Sequence, residues 1–363
     1  MTTAVSSATQ ALQRAMPITR LLDCGVDHAD AVALFQRTTA GEDWHSAAES
    51  LASAQLERAA AAATAGHLTT ATEAQSMAIA NLLFAQMAFN DDDPRRVALY
   101  DQLVQAARQL SDWSDKRIER VELPFEHGRL IGWLVRPWSG RASGTVLLFG
   151  GQSGWGMAYL PIAKALARRG LATLLAEGPG QGETRMKHRI FLDVDVTAAY
   201  RQFITYIVAD PSLGAPGIWG NSIGGLWAAS TAAADDRVRA CCVNGAQALP
   251  RLLAYRTFQE QAAAMLGVND EAAVTANFER LSFRAGRDRI TCPLLVLHGG
   301  ADPLITLEDQ QPFLDAAATT DKTLRFWPDG EHTIYNHAAE RTAVVADWFV
   351  DRFAQIQHPR GCE

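Results

Sequence analysis

Hydrophobic residues in the first third of the chain recur every three to four positions, which is the spacing of an amphipathic helix. The stretches that show this spacing are 43–66, 69–89 and 94–113. Gly66 ends the first stretch, residues 90–93 end the second, and Pro94 stands at the start of the third, as is typical of helix boundaries. The pattern predicts an all-helical domain over residues 1–115, rich in alanine and poor in strand-forming residues.

After Lys116 the pattern changes to two alternating segments on either side of His127 and Gly128, which predict a β-hairpin. Short apolar runs then alternate with helical stretches. These runs are GTVLLFGG, LATLLAEG, APGIWGNS, VRACCVNG and PLLVLHGG. Such alternation is typical of an α/β fold with a mostly parallel, doubly wound sheet and helices on both faces, here over residues 116–363. Residues 249–289 are helical in pattern and predict an insertion at the C-terminal edge of this sheet.

One serine lies where this pattern predicts a turn from strand to helix. Ser222 follows the apolar run that ends at Trp219 and precedes the helical stretch IGGLWAASTAAA. Gly220 and Gly224 would relieve crowding at a sharp turn that projects the serine hydroxyl outward as a nucleophile. Because a serine needs a base, and the base needs a carboxylate to orient it, the order serine, acid, histidine is expected along the chain. Asp302 and His332, each after a late strand, complete a predicted catalytic triad with Ser222.

Other residues compete for two of these roles. Asp302 precedes proline and is also typical of a turn, while Asp309 is a less favoured alternative acid. His337 lies five residues after His332 and is the alternative base, and we expect His298 to be a structural histidine at a strand end.

Two backbone N–H groups are predicted to stabilise an oxyanion. The first belongs to Ile223, which follows the nucleophile. The second comes from the glycine loop after the first buried strand, where position favours Gln152 and then Gly151. An ordinary glycine turn is the alternative. The same loop resembles a phosphate-binding loop, but no Lys-Ser/Thr pair follows it, so a nucleotide is not expected.

Composition and charge narrow the range of partners. The formal net charge is −7 without a basic cluster, which argues against nucleic acid and against an anionic membrane. No apolar run approaches the roughly 18 residues of a membrane span, and the N-terminus lacks the features of a secretory signal, so we expect a cytoplasmic protein. Five cysteines form neither a metal-ligand spacing nor a disulfide framework. We expect a small-molecule substrate, no metal and no cofactor, and a homodimer remains open.

Together these motifs resemble the α/β-hydrolase superfamily. They are similar to the branch that contains 2,6-dihydroxypseudooxynicotine hydrolase, the fungal yellowish-green pigment polyketide-shortening hydrolase and the fermentation-respiration-switch-like esterases. The motifs that carry the resemblance are VELPFEHGRLIGWLVRP, LLFGGQSG, AEGPGQGET, GIWGNSIGG, HGGADPLI and DGEHTIYNH. The resemblance implies that the N-terminal helices form a cap over the pocket and that the substrate loses a carbon-carbon bond beside a ketone. Glu177 stands where aspartate is more usual, with an implied structural role beneath the site.

The resemblance also has a limit. One member of the branch uses an extra acidic residue after the nucleophile, whereas residues 241–253 contain none and Glu260 is the nearest acid downstream. The expected reaction is hydrolysis of a carbon-carbon (ketone) or ester bond in a small polyketide-like or aromatic metabolite. An acetate-eliminating lyase like those of tetronate polyketide pathways is the first alternative, and a catalytically inactive binding protein is the second.

Overall fold

The computed structural model describes residues 6–192 and 195–357, and the chain divides into two compact units, Met1–Glu119 and Arg120–Glu363. Cys362 lies outside the described residues. The first unit is helical until the first strand begins near its end. Its helices are α1 (Ser7–Ala15), α2 (Ile18–Asp23), α3 (His28–Thr39), α4 (Trp44–Thr64), α5 (Leu68–Gln86) and α6 (Pro94–Trp113).

The centre of this helical unit is α5, which packs against α4 and α6. Residues 78–86 of α5 are all buried, so this half of the helix has no solvent-facing side. The indole N–H of Trp44 at the start of α4 donates to the carbonyl of Phe84 at 3.0 Å. An amphipathic helix exposes one face and is polar there, whereas this half of α5 exposes none. Its sequence is accordingly apolar on nearly every side.

The second unit is built on one eight-stranded sheet. Its strands are β1 (Ile118–Phe125), β2 (Gly128–Val135), β3 (Gly144–Phe149), β4 (Ala172–Glu177), β5 (Ala215–Asn221), β6 (Cys241–Asn244), β7 (Leu294–Gly299) and β8 (Lys322–Trp327). The order across the sheet is β1-β2-β4-β3-β5-β6-β7-β8. Strands β4, β3, β5, β6, β7 and β8 pair in parallel, and β2 pairs antiparallel with β4. This is the mostly parallel, doubly wound sheet that the alternating pattern predicts.

Helices connect these strands, and one further helix follows the last strand. The connecting helices are α7 (Leu160–Ala167), α8 (Gly182–Met186), α9 (Thr197–Ala209), α10 (Ile223–Ala234), α11 (Arg256–Leu266), α12 (Glu271–Arg280) and α13 (Leu307–Asp315), and the helix after the last strand is α14 (Ala338–Gln357). Short 3-10 helices occupy 156–159, 211–213 and 332–337. Across the described parts of both units, no helix combines the length and the apolar character needed to cross a bilayer.

The segment 249–289 is less helical than its pattern predicts. Helices α11 and α12 cover only part of it, and α11 ends at Leu266, capped by Gly267, whose φ of 68° is left-handed. Pro250 near the start of the segment has no N–H to donate to a helix. The segment therefore consists of two short helices joined and flanked by loops.

Candidate active site

Ser222 occupies the turn between β5 and α10 in a conformation that serine rarely adopts. Its φ is 55° and its ψ is −139°, and its backbone N–H donates to the carbonyl of Asn244 at 2.8 Å. A non-glycine residue in such a region costs on the order of 1–3 kcal/mol, which the surrounding structure must offset. The turn thus holds the hydroxyl at the carboxyl end of β5 and beside the N-terminus of α10.

The glycines on either side of Ser222 are required by close backbone contacts. A Cβ at Gly220 would lie 2.1 Å from the carbonyl oxygen of Gly224. A Cβ at Gly224 would lie 2.4 Å from the carbonyl oxygen of Gly150, in the loop after β3. Both distances are far inside van der Waals contact, so the two glycines allow the tight turn and its approach to the neighbouring loop.

Ser222, His332 and Asp302 form a continuous chain of hydrogen bonds. The Nε2 of His332 lies 3.0 Å from the Oγ of Ser222, and its Nδ1 lies 2.8 Å from Oδ2 of Asp302. A carboxylate at Nδ1 selects the tautomer with the proton on that nitrogen and leaves Nε2 to accept the serine proton. The geometry is that of a nucleophile, a base and an orienting acid.

The carboxylate of Asp302 is held from both sides. Its Oδ1 accepts the N–H groups of Leu304 and Ile305 at 2.8 and 3.2 Å, and its side chain is 1% exposed. Asp302 therefore serves the turn through Oδ1 and contacts His332 through Oδ2. Because both oxygens are occupied, the side chain is fixed in the direction of His332.

The alternative residues have other partners. Asp309 forms a capping box with Thr306 at the start of α13 and an ion pair with Arg251. His337 contacts Asp329 through Nε2 at 2.9 Å. The structure brings neither residue to Ser222.

The histidine expected to be structural is tied to the sheet. The Nδ1 of His298, at the end of β7, lies 2.8 Å from Oε1 of Gln310. Its imidazole also stacks on the ring of Phe326. Both contacts fit a structural role.

The loop that carries His332 is anchored by residues that sequence reasoning did not single out. Thr333 and Ile334 have φ values of 52° and 63°. The carbonyl of Thr333 accepts from Nδ2 of Asn244 at 3.1 Å and from Nη1 of the buried Arg341 at 3.0 Å. Asn244 thereby links the nucleophile turn and the histidine loop. The only sequence signal for Asn244 is its place at the end of an apolar strand.

The predicted oxyanion donors lie beside the nucleophile. A Cβ at Gly151 would be 3.0 Å from both Ser222 Cβ and the backbone N of Ile223, so the loop after β3 lies against the turn. Within the described ranges, the N–H groups of Gly151, Gln152 and Ile223 donate to no protein acceptor. The side chain of Gln152 instead reaches α11, where its Nε2 donates to the carbonyl of Phe258 at 2.5 Å.

A pocket opens at the nucleophile, and most of its wall is apolar. Its lining residues are Ser222, Ile223, Gln247, Pro250, Leu253, Phe258, Phe278, Leu304, Ile305 and His332. Several of them come from the 249–289 segment, which is where the insertion was expected to meet the sheet edge. None of them is acidic. Glu260, the nearest acid downstream of residues 241–253, pairs with Arg256 on α11 and does not line the pocket.

Two cysteine thiols lie buried in β6. Burial raises the pKa of the Cys241 and Cys242 thiols, so neither residue offers a thiolate. No cluster of three or more potential metal ligands occurs among the residues with described positions. Glu177 at the end of β4 accepts the N–H of Glu183 at 2.7 Å and so ties down the following loop.

Comparison with known proteins shows that this chain is similar to hydrolases. The Hydrolase_4 family model, described as serine aminopeptidase, S33, matches residues 272–338. The 2,6-dihydropseudooxynicotine hydrolase of Paenarthrobacter nicotinovorans is 26% identical over 92% of this chain and 90% of its own length. The α/β hydrolase xenA of Xenoacremonium sinensis is 27% identical over 55% of this chain and 50% of its own length.

Solved structures with the same fold are also similar to this chain. The crystal structure of 2,6-dihydroxy-pseudo-oxynicotine hydrolase has a TM-score of 0.84 at 23% identity and covers 92% of this chain and 95% of its own. The structure of AbyA5 has a TM-score of 0.67 at 19% identity and covers 96% of this chain and 99% of its own. With this sheet order and these similarities, the chain has the α/β-hydrolase fold, and over most of its length it is similar to 2,6-dihydropseudooxynicotine hydrolase.

Proposed function

We propose that this α/β-hydrolase uses Ser222 as a nucleophile to cleave a carbon-carbon bond beside a ketone, or an ester bond, in a small neutral metabolite. The observation that carries the proposal is the pair of contacts from His332, 3.0 Å to Ser222 and 2.8 Å to Asp302. A serine hydroxyl is a weak nucleophile unless a base takes its proton, and this geometry supplies an oriented base.

The reaction proceeds in two halves. Ser222 Oγ bonds to the substrate carbonyl carbon while Nε2 of His332 takes the hydroxyl proton. The negative charge on the carbonyl oxygen is stabilised by the N–H groups of Ile223 and Gln152, each worth roughly 3 to 4 kcal/mol in such sites. The tetrahedral adduct then collapses, the carbon-carbon or carbon-oxygen bond breaks, and His332 gives its proton to the departing atom. Water, deprotonated by His332, releases the acyl group from Ser222.

The pocket favours an uncharged, apolar substrate. Phe258, Phe278 and Leu253 supply aromatic and aliphatic surface, and Gln247 is the one amide on the wall. An ionised group would lose its hydration on this surface without a counter-charge. The pocket wall carries no acidic residue, so we do not expect a reaction that needs a carboxylate in addition to Asp302. We therefore expect aryl or alkyl ketones and esters to be accepted in preference to charged analogues.

A fluorophosphonate probe tests the nucleophile directly. We expect one covalent label, located on the peptide that contains Ser222, and no label in Ser222→Ala. Ser230→Ala is the matched control, because Ser230 lies further along the same helix α10. If the protein takes no label although it is folded, the inactive binding protein of the sequence analysis becomes the better hypothesis.

Product analysis tests the reaction class. With an acetylated model substrate, hydrolysis yields an alcohol and acetate, because water resolves the acyl-serine. An elimination catalysed by His332 alone would give an alkene and acetate instead. An alkene product, formed equally by Ser222→Ala, would contradict nucleophilic hydrolysis and favour the lyase alternative.

A further inference from the structure

Gln181 has a fully buried side chain with three hydrogen bonds, all to backbone groups. Its Oε1 accepts the N–H of Gly178 at 2.9 Å. Its Nε2 donates to the carbonyl of Gly150 at 2.8 Å and to the carbonyl of Gly151 at 2.9 Å. The amide orientation follows from these partners, since only the nitrogen end can donate to two carbonyls. One side chain thus holds two consecutive carbonyls of the loop after β3.

This contact determines the direction of the N–H groups in that loop. The peptide between Gly151 and Gln152 is trans, so its N–H points opposite to its carbonyl. The carbonyl of Gly151 is directed at Gln181 and also accepts from the indole N–H of Trp155 at 3.2 Å. The N–H of Gln152 therefore points away from Gln181. Gly151 itself lies against Ser222 and Ile223, so the nucleophile borders this loop.

A pair of glycines makes such a contact necessary. Gly150 and Gly151 allow the chain to pass close to the nucleophile turn, but glycine has little intrinsic preference among backbone conformations. Without an external constraint, the peptide planes on either side of Gly151 could rotate. A rotated plane would present a carbonyl oxygen where an oxyanion donor is needed.

We propose that Gln181 is a positioning residue that sets the direction of the Gln152 N–H in the oxyanion hole. The inference rests on the proposed function, because it assigns Gln181 a role in that same reaction. Gln181 does not touch the substrate. It acts through the Gly150 and Gly151 carbonyls, and its effect appears only when negative charge develops on the substrate oxygen.

The test compares Gln181→Met and Gln181→Glu with the intact protein. Methionine matches the shape without donors, and an ionised glutamate accepts but cannot donate. Gln310→Met is the matched control, because Gln310 is equally buried and donates from Nε2 to the carbonyl of Leu297 at 3.0 Å. Each variant is measured for thermal unfolding, for kcat and KM on a p-nitrophenyl ester, and for inhibition by a trifluoromethyl ketone, whose serine adduct carries an oxyanion.

We expect both Gln181 variants to lose about 10- to 100-fold in kcat, somewhat less than complete removal of an oxyanion donor costs, with KM within a few-fold of the original. Trifluoromethyl ketone affinity should fall by the same factor as kcat/KM. Gln310→Met should show a fall in Tm comparable to that of the Gln181 variants, and its kcat should stay within about two-fold of that of the intact protein. A purely structural Gln181 would instead give variants whose folded fraction keeps its kcat and inhibitor affinity, and that result would overturn the inference.

The outcome remains distinguishable from failure of the proposed function. The intact protein and Ser222→Ala are labelled with fluorophosphonate in the same series. If Ser222 of the intact protein is not labelled, the serine mechanism itself is wrong. If Ser222 is labelled at the same rate in the intact protein and in both folded Gln181 variants, the serine mechanism stands and the role of Gln181 is wrong.

Discussion

At the scale of single residues, Ser222 combines a proposed role as nucleophile with backbone strain. Its left-handed φ of 55° is a conformation in which glycine has no penalty from a Cβ. The same conformation directs the hydroxyl at His332. Stability and function therefore make opposite demands at this position, as is common at active sites.

We predict that Ser222→Ala and Ser222→Gly both fold and both lose activity by several orders of magnitude, because the nucleophile is gone. Ser222→Gly should be more stable than Ser222→Ala by about 1 kcal/mol, since glycine removes the strain at positive φ. Urea unfolding measures the stability difference, and ester turnover measures the activity. More than a few per cent of turnover in a clean preparation of either variant would contradict a serine nucleophile.

A second prediction separates the two candidate acids. Asp302→Asn should fold but lose turnover strongly near neutral pH, because an amide favours the wrong imidazole tautomer; the corresponding loss in a triad protease is about 10⁴-fold. Asp309→Asn should keep turnover within a few-fold, since Asp309 serves Thr306 and Arg251 at the start of α13. Steady-state kinetics of both variants provide the measurement. The reverse result would mean that the acid is misassigned.

Sequence reasoning grouped Ser222, Asp302 and His332, and the structure places their side chains in hydrogen-bond contact. Ser222 is recognisable because its glycine neighbours mark a turn between a strand and a helix. Asp302 and His332 are recognisable because they follow late strands in the expected order. Asn244, Arg341 and Gln181 were missed because each side chain donates to a backbone carbonyl, and no local sequence pattern encodes that partner.

At the scale of elements, buried parallel strands were the easiest to predict. Strands β3 to β7 are buried along their length, so each appears in the sequence as a continuous apolar run. The edge strand β8 leaves Leu324 and Phe326 exposed and carries charged residues, which weakens its signal. The limits of α11 and α12 were missed because their apolar residues serve the pocket as well as the helix packing.

The connection from α10 to β6 has an ion pair whose strength depends on pH. Asp235 ends α10, is 2% exposed in its side chain, and pairs with Arg237 at 2.6 Å and Arg201 at 3.5 Å. Burial acts to raise the pKa of this carboxyl, but hydrogen bonds and charge from Arg237, with Arg201, outweigh it and lower the pKa. The ionised form is therefore favoured in the folded protein.

This shift predicts the sign of a stability change in acid. An unfolded aspartate has a pKa of about 3.9, so below about pH 4 the unfolded chain binds a proton more readily than the folded one. The stability from Asp235 is therefore fully present above about pH 4 and is lost as the pH falls through the lowered pKa. Asp235→Asn should be less stable than the intact protein at pH 6. Its free energy of unfolding should also fall less than that of the intact protein when the pH is lowered. Urea unfolding at a series of pH values from 6 to 3 measures the free energy of unfolding. Asp236→Asn, at the exposed neighbouring residue, is the control. Parallel plots of stability against pH for the intact protein and Asp235→Asn would contradict the prediction.

At the scale of the whole molecule, the chain joins a helical unit to an α/β-hydrolase unit. The helical unit has one helix, α5, whose residues 78–86 are buried on every side. Such a helix requires apolar neighbours all round. The sequence already indicates this burial, because the consecutive residues Leu82, Leu83 and Phe84 point in different directions around the helix axis and cannot share one face.

The last prediction is that the helical unit encloses the active site as a cap. The pocket wall is apolar and the proposed reaction passes through an acyl-serine, so a cap would exclude bulk water and strengthen the oxyanion interactions. A shortened chain beginning at Asp115, which keeps all of β1, should be poorly soluble or should lose most of its kcat/KM on the best ketone or ester found for the full chain. Sedimentation, thermal unfolding and fluorophosphonate labelling at Ser222 separate misfolding from loss of the cap. If the shortened chain is monomeric, as stable as the full chain and fully active, the helices are not a lid, and the hydrolase unit must build the pocket alone.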